Sequence, residues 1–148
     1  MNKKTPITAV KSKSEKKPVC IVDTLTFHDR HPAWRFARLK HYNDSEFGWS
    51  SMEEQMFYII SKLHDIEVQK WSDIFKNSKQ HHHINVTDLI PEVQRLLQKK
   101  REDIEQVFSI HISARERLFG IIESGVGIVD IIWWDPQHKI CPSHKKHT

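Results

Sequence analysis

His111, Arg115, Arg117, His138 and Lys139 crowd into the C-terminal third of the chain. Arginine carries a forked, permanently charged donor set that fits a phosphate, and histidine titrates near neutrality. Metal-independent RNA cleavage needs both capacities. One group draws the proton from the 2′-hydroxyl, another protonates the leaving 5′-oxygen, and a cation stabilises the charge that builds on phosphorus. The plainer alternative makes Arg115 and Arg117 solvated charges on an edge strand and His138 a residue that follows the Asp135-Pro136 turn.

Other chemistries find less support. His81, His82 and His83 are consecutive, and His144 lies three residues before His147. Neighbouring side chains of an extended segment point to opposite sides, so they do not converge on a tetrahedral metal. No Cys-x-x-Cys or His-Glu-x-x-His accompanies them, so no metal is expected. The triplet reads as an exposed polar loop from which one ring, His82 or His83, touches substrate; His83 joins the candidate set. The chain has no phosphate-cradling glycine loop, no dinucleotide fingerprint and no Gly-x-Ser-x-Gly elbow, and no organic cofactor is implied. Cys141 carries no motif that marks a nucleophile.

Elements must bring these residues together. Ser50 with Glu53 three residues on has the spacing of a capping box. Met52, Met56, Ile59, Ile60, Leu63 and Ile66 then recur at helical intervals. Trp71, Ile74 and Phe75 predict a shorter helical turn, and Pro91 suits the first position of a helix running through Val93, Leu96 and Leu97 to about Lys100. Thr87 or Asp88 caps a turn before it. From Gln106 the period becomes strand-like, with Phe108, Ile110 and Ile112 alternating with Ser109 and His111. Leu118–Ile122 and Ile128–Trp134 follow, separated by a Glu123-Ser124-Gly125 turn, and Asp135-Pro136 ends the last run. That run is apolar at almost every position, as in a central strand covered on both faces. Trp133 and Trp134 therefore face opposite sides, and core packing is the favoured reading for both. Earlier in the chain, Val19–Phe27 and Trp34–Leu39 read as extended pieces. The fold class is α+β: an N-terminal extended segment and helices, then a three-stranded C-terminal antiparallel meander.

Bulk properties bound the rest. At 148 residues the chain is about one domain long. Lys3, Lys4, Lys11, Lys13, Lys16 and Lys17 against Glu15 give residues 1–19 a net charge of +5, so the remainder sums to −1 of the overall +4. Residues 1–19 are accordingly read as a disordered basic tail, and residues 20–148 as a single α+β domain whose own surface is not basic. No apolar run reaches the roughly 18 residues of a membrane span, and no apolar stretch follows the N-terminal lysines as in a secretory signal. Two cysteines, Cys20 and Cys141, give no disulfide framework, and a cytoplasmic location is expected.

Residues 103–148 carry a resemblance. Arg115-Glu116-Arg117-Leu118-Phe119-Gly120-Ile121 opens a strand, and Trp133-Trp134-Asp135-Pro136-Gln137-His138-Lys139 closes the next. This pattern resembles small uncharacterised proteins of bacteria and their mobile elements that share a Trp-Trp-Asp-Pro-x-His ending. Trp34-Arg35-Phe36 and Gly48-Trp49 match further elements, so the likeness covers most of residues 32–148. More distantly, helices followed by a meander are similar to the RelE/ParE/HigB-type toxin superfamily. Its members act on mRNA bound at the ribosome through a basic strand residue and a basic or aromatic residue near the C-terminus. By that likeness Arg117 matches the strand residue and His138 the C-terminal one, although no terminal tyrosine follows the last strand here.

The resemblance implies a toxin-like endoribonuclease of a toxin-antitoxin or mobile-element system, with RNA as substrate and an antitoxin protein as partner. Arg117 and Arg115 hold the scissile phosphate, His138 is general acid or base, and His111 and Lys139 assist. The rival expectation is a non-enzymatic interaction protein of a mobile element, binding through the apolar meander face or the lysine-rich tail. The nuclease requires Arg117 and His138 to open into one positively lined concavity; the rival places them apart or ties one into structural pairing. A DNA-binding module ranks last, since no helix-turn-helix is recognisable.

Overall fold

The computed structural model describes residues 27–142 other than Asp44, Arg101, Glu102 and Ser124. The basic tail, the extended segment expected over 19–27 apart from Phe27, Cys20, and His144 and His147 lie outside the described residues. Among the described residues five strands form one sheet: β1 (Ala33–Arg35), β2 (His81–Asn85), β3 (Gln106–His111), β4 (Arg117–Glu123) and β5 (Ile128–Asp135), in the order β1-β5-β4-β3-β2. The described residues also form α1 (Trp49–Met52), α2 (Met56–Glu67), α3 (Trp71–Lys76) and α4 (Pro91–Lys99). The expected α+β class and the β3-β4-β5 meander are both present.

The sheet is larger than the sequence suggested. β2 pairs antiparallel with β3, His82 opposite Ser109 and His83 opposite Phe108. The histidine triplet is therefore an edge strand and not a loop. β1 pairs parallel with β5, and Arg35 clamps the pair by donating to both carboxylate oxygens of Asp130 at 2.6 and 3.1 Å and to Glu123 at 2.6 Å. Beyond Arg35 the stretch expected to stay extended turns into a 3-10 helix over Ala37–Tyr42.

Each face of the sheet carries a core. Ile59, Leu63 and Ile66 of α2 and Trp71 and Ile74 of α3 cover one face, meeting Phe108, Ile110, Leu118, Val129, Ile131 and Trp134. Val93 and Leu97 of α4, with Tyr42, Phe47, Leu89 and Ile140, cover the other, meeting Val107, Phe119, Ile132 and Trp133. Covering on both faces explains why β5 is apolar at every position but Asp130 and the terminal Asp135. It also buries the apolar surface of the meander on both sides.

A β-bulge sets which residues face which way. Phe119 pairs with Trp133 but Gly120 with Ile131, so Ile132 is the extra residue. Ile132 and Trp133 consequently share one core although adjacent in sequence, and Trp134 turns to the other. Gly120 is required at this step, because a Cβ would stand 2.5 Å from Val129 Cγ1 and 2.8 Å from the Asp130 carbonyl oxygen.

The expected capping box is absent. Gly48 is the N-cap of α1, with no side-chain cap of its own, and Asn43 Oδ1 accepts the Ser50 amide from outside the helix at 3.2 Å. Glu53 instead opens a 3-10 turn (Glu53–Gln55) that separates α1 from α2.

Candidate functional site

A cleft of about 760 Å³ opens on the α4 face of the sheet, at the β2 side. Its floor is one row across three strands: His82 on β2 lies opposite Ser109 on β3, which lies opposite Phe119 on β4. The small Ser109 between two rings leaves the hollow. Lys79, Arg117 and His138 also line it. Arg117 belongs to the next row, opposite His111 on one side and Asp135 on the other.

His138 reaches the cleft because of the turn that ends β5. Asp135 is 1 % exposed, and its two carboxylate oxygens accept the backbone N–H groups of Lys139 and Ile140, each at 2.8 Å. Ile140 is thereby seated in the core, and its carbonyl accepts the Ile90 amide at the start of α4. The turn holds His138 at φ 59°, a left-handed conformation uncommon outside glycine, although asparagine, aspartate and histidine enter it more readily than other side chains. Among the described residues it is the only non-glycine with positive φ. The Trp-Trp-Asp-Pro-x-His pattern thus has a local physical meaning: two core tryptophans, a buried capping carboxylate and a strained histidine.

Burial and like charge set the electrostatics. Arg117 is partly buried, which lowers its pKa, while the Asp135 charge works the other way. One guanidinium nitrogen, Nη1, donates to the carbonyls of Ser113 at 2.7 Å, Glu116 at 3.0 Å and Ala114 at 3.3 Å. His111 is held below its ordinary pKa by burial first, then by Arg117, with His138 adding to the effect. His81, on the opposite face, is pushed down to about 4, chiefly by burial and then by His111, His82 and Arg117. Its Nδ1 accepts the His111 backbone N–H at 3.2 Å, which fixes it as a neutral acceptor.

The remaining candidates divide. His111 neighbours Arg117 without lining the cleft. Arg115 donates to Gln137 Oε1 at 2.6 Å, tying the β3–β4 loop to the His138 turn. Lys139 Nζ lies 3.4 Å from Glu46 on the surface. Neither lines the cleft. His83 borders it along β2, but its ring packs on Phe75 and Phe108 of the other face, with centroids 6.3 and 5.1 Å away. Burial there lowers its pKa.

Of the two rings expected to touch substrate, His82 and His83, it is His82 that stands in the row with Ser109, and Lys79, which the sequence did not single out, lines the cleft with it. His82 Nδ1 is buried and has no hydrogen-bond partner among the described residues. The signal for it was the alternation of a strand: had the triplet been read as extended and paired, His82 would have fallen on the Ser109 side alone. Among the described residues no three His, Cys, Asp or Glu side chains are placed to hold a metal ion, and no helix is long and apolar enough to cross a membrane. No protein-family model, curated protein or solved structure matches the chain.

Proposed function

We propose that this protein is a toxin-like endoribonuclease of a toxin-antitoxin or mobile-element system, acting in the cytoplasm on RNA, including RNA at the ribosome. The observation that carries the reading is the opening of Arg117 and His138 into one cleft. Arg117 supplies fixed positive charge to a phosphodiester from partly buried surroundings, where charge is less screened than in bulk water. His138 moves a proton at the scissile phosphate, and its strained backbone keeps its ring over the cleft. The chemistry asks for no metal or organic cofactor. Helices leading into the β3-β4-β5 meander agree with the RelE-like resemblance, and a protein antitoxin is the expected partner of a nuclease harmful to its host.

A second reading draws on one observation. The three carbonyls on Arg117 Nη1 are the structural pairing expected of a non-enzymatic interaction protein. Its guanidinium has two further nitrogens, so holding the β3–β4 loop and meeting a phosphate are compatible.

Induced expression in a bacterial host separates the two. Wild type is expected to arrest growth and fragment RNA, and an equally soluble Arg117→Ala/His138→Ala variant to do neither. Intact RNA and normal growth at high wild-type expression would leave the interaction protein.

A further inference from the structure

Independently of the RNA-cleaving reading, we infer that the outer face of α2 docks a basic amphipathic helix of a partner protein. Ile59, Leu63 and Ile66 bury the inner face of α2 in the core. The outer face is apolar as well: Phe57 is 86 % exposed, Ile60 49 % and Val68, the C-cap, 60 %. At 3.6 residues per turn Phe57, His64 and Val68 lie within about 40° of one another around the helix axis, and Ile60 about 60° from Phe57. Single apolar side chains are ordinary on a protein surface. An aligned row headed by so open a phenylalanine is a contact surface without its partner.

Charge selects the occupant. Glu53 and Glu54 are exposed at the N-terminal end of the row, and Asp65 and Glu67 at its C-terminal end. Lys62 lies about 140° from Phe57 around the axis, its Nζ 5.6 Å from the centre of the Tyr58 ring, and so does not offset them along the row. A second copy of this chain laid on the row, parallel or antiparallel, would set carboxylates against carboxylates. RNA and an anionic membrane carry the same sign and are repelled likewise. A helix with lysine or arginine on its polar face meets both acidic ends favourably, while its own apolar row covers Phe57 and Ile60.

Size and placement agree with this occupant. Phe57 to Val68 spans about 16 Å of helix axis, which roughly three turns of a partner helix match. An extended peptide would instead take its hydrogen bonds from a sheet edge. α2 covers the face of the sheet opposite the cleft, so a docked helix leaves Arg117 and His138 open. The surface recruits or tethers and does not block.

Two displayed libraries of amphipathic helices, each about 18 residues long, test this on the full chain. Both vary Leu, Ile, Met, Phe and Val at the apolar positions; one carries Lys and Arg at the polar positions, the other Glu and Gln. The basic library is expected to be enriched, and synthetic copies of its selected peptides to shift the amide signals of α2 before others. Phe57→Ser/Ile60→Ser protein of matching circular dichroism should bind those peptides about tenfold more weakly or worse. Glu53→Gln/Glu54→Gln should weaken binding by about threefold at low salt and flatten its salt dependence. Enrichment of the acidic library, no enrichment of either, or binding untouched by Phe57→Ser/Ile60→Ser overturns the inference. Self-association of the full chain that Phe57→Ser/Ile60→Ser abolishes overturns it in favour of a second copy. Hydrogen-exchange protection of α2 that is lost when the six lysines of residues 1–19 are replaced by serine overturns it in favour of the chain's own tail.

Discussion

At the left-handed His138 a side chain costs roughly 1–2 kcal/mol that a glycine would not. His138→Gly should therefore raise stability by about 1 kcal/mol while abolishing RNA cleavage, as read from urea unfolding beside a cleavage assay. His138→Ala should be as inactive without that gain. A histidine kept only for the turn would show no such opposition between stability and activity. His81 makes a separate statement about pH. Its pKa is near 4 in the folded chain against about 6.5 when unfolded, so between these values the unfolded chain binds the extra proton. Its contribution is complete above pH 6.5 and is lost as pH falls toward 4. His81→Asn keeps an oxygen for the His111 N–H and removes the titration. The urea midpoint of that variant should fall less steeply from pH 7 to pH 4 than that of wild type.

The turn after β5 joins fold and site. Asp135→Ala leaves the Lys139 and Ile140 N–H groups without their acceptors and should cost about 3 kcal/mol in chemical denaturation. It should also release the His138 ring from the cleft, seen as a loss of chemical-shift response to added inorganic phosphate. Gly120→Ala presses a methyl group onto Val129 and the Asp130 carbonyl and should cost about 2 kcal/mol. These elements were unequally legible in the sequence. β3, β4, β5, α3 and α4 show in apolar spacing because their burial repeats along the chain. β2 does not, since three histidines carry no apolar period and their place comes from pairing with β3, 25 to 29 residues away. The cap of α1 was misassigned because its acceptor is Asn43, outside the helix and beyond the reach of a local motif. Arg117 and His138 were legible as chemistry. Lys79 was not, and the choice of His82 over His83 was not, because only the register of an unforeseen strand decides them.

Across the whole molecule, two cores sandwich the sheet and leave one corner of the α4 face open, where Lys79, Arg117 and His138 gather. The net charge of residues 20–148 is only −1, so the proposed ribonuclease would draw RNA through that cluster and the six lysines within residues 1–19. Removing the charge of Lys79 and Arg117 together should make the decline of RNA affinity with salt shallower, by about 1.4 in the slope of log K against log salt for single strands. The most direct test of the central claim is incubation of purified full-length protein with end-labelled single-stranded RNA in EDTA, beside Arg117→Ala/His138→Ala protein of matching circular dichroism. Wild type is expected to cut the RNA and the variant to leave it intact. Equal cutting by both, or none by wild type, would contradict the assignment of this cleft as a ribonuclease site.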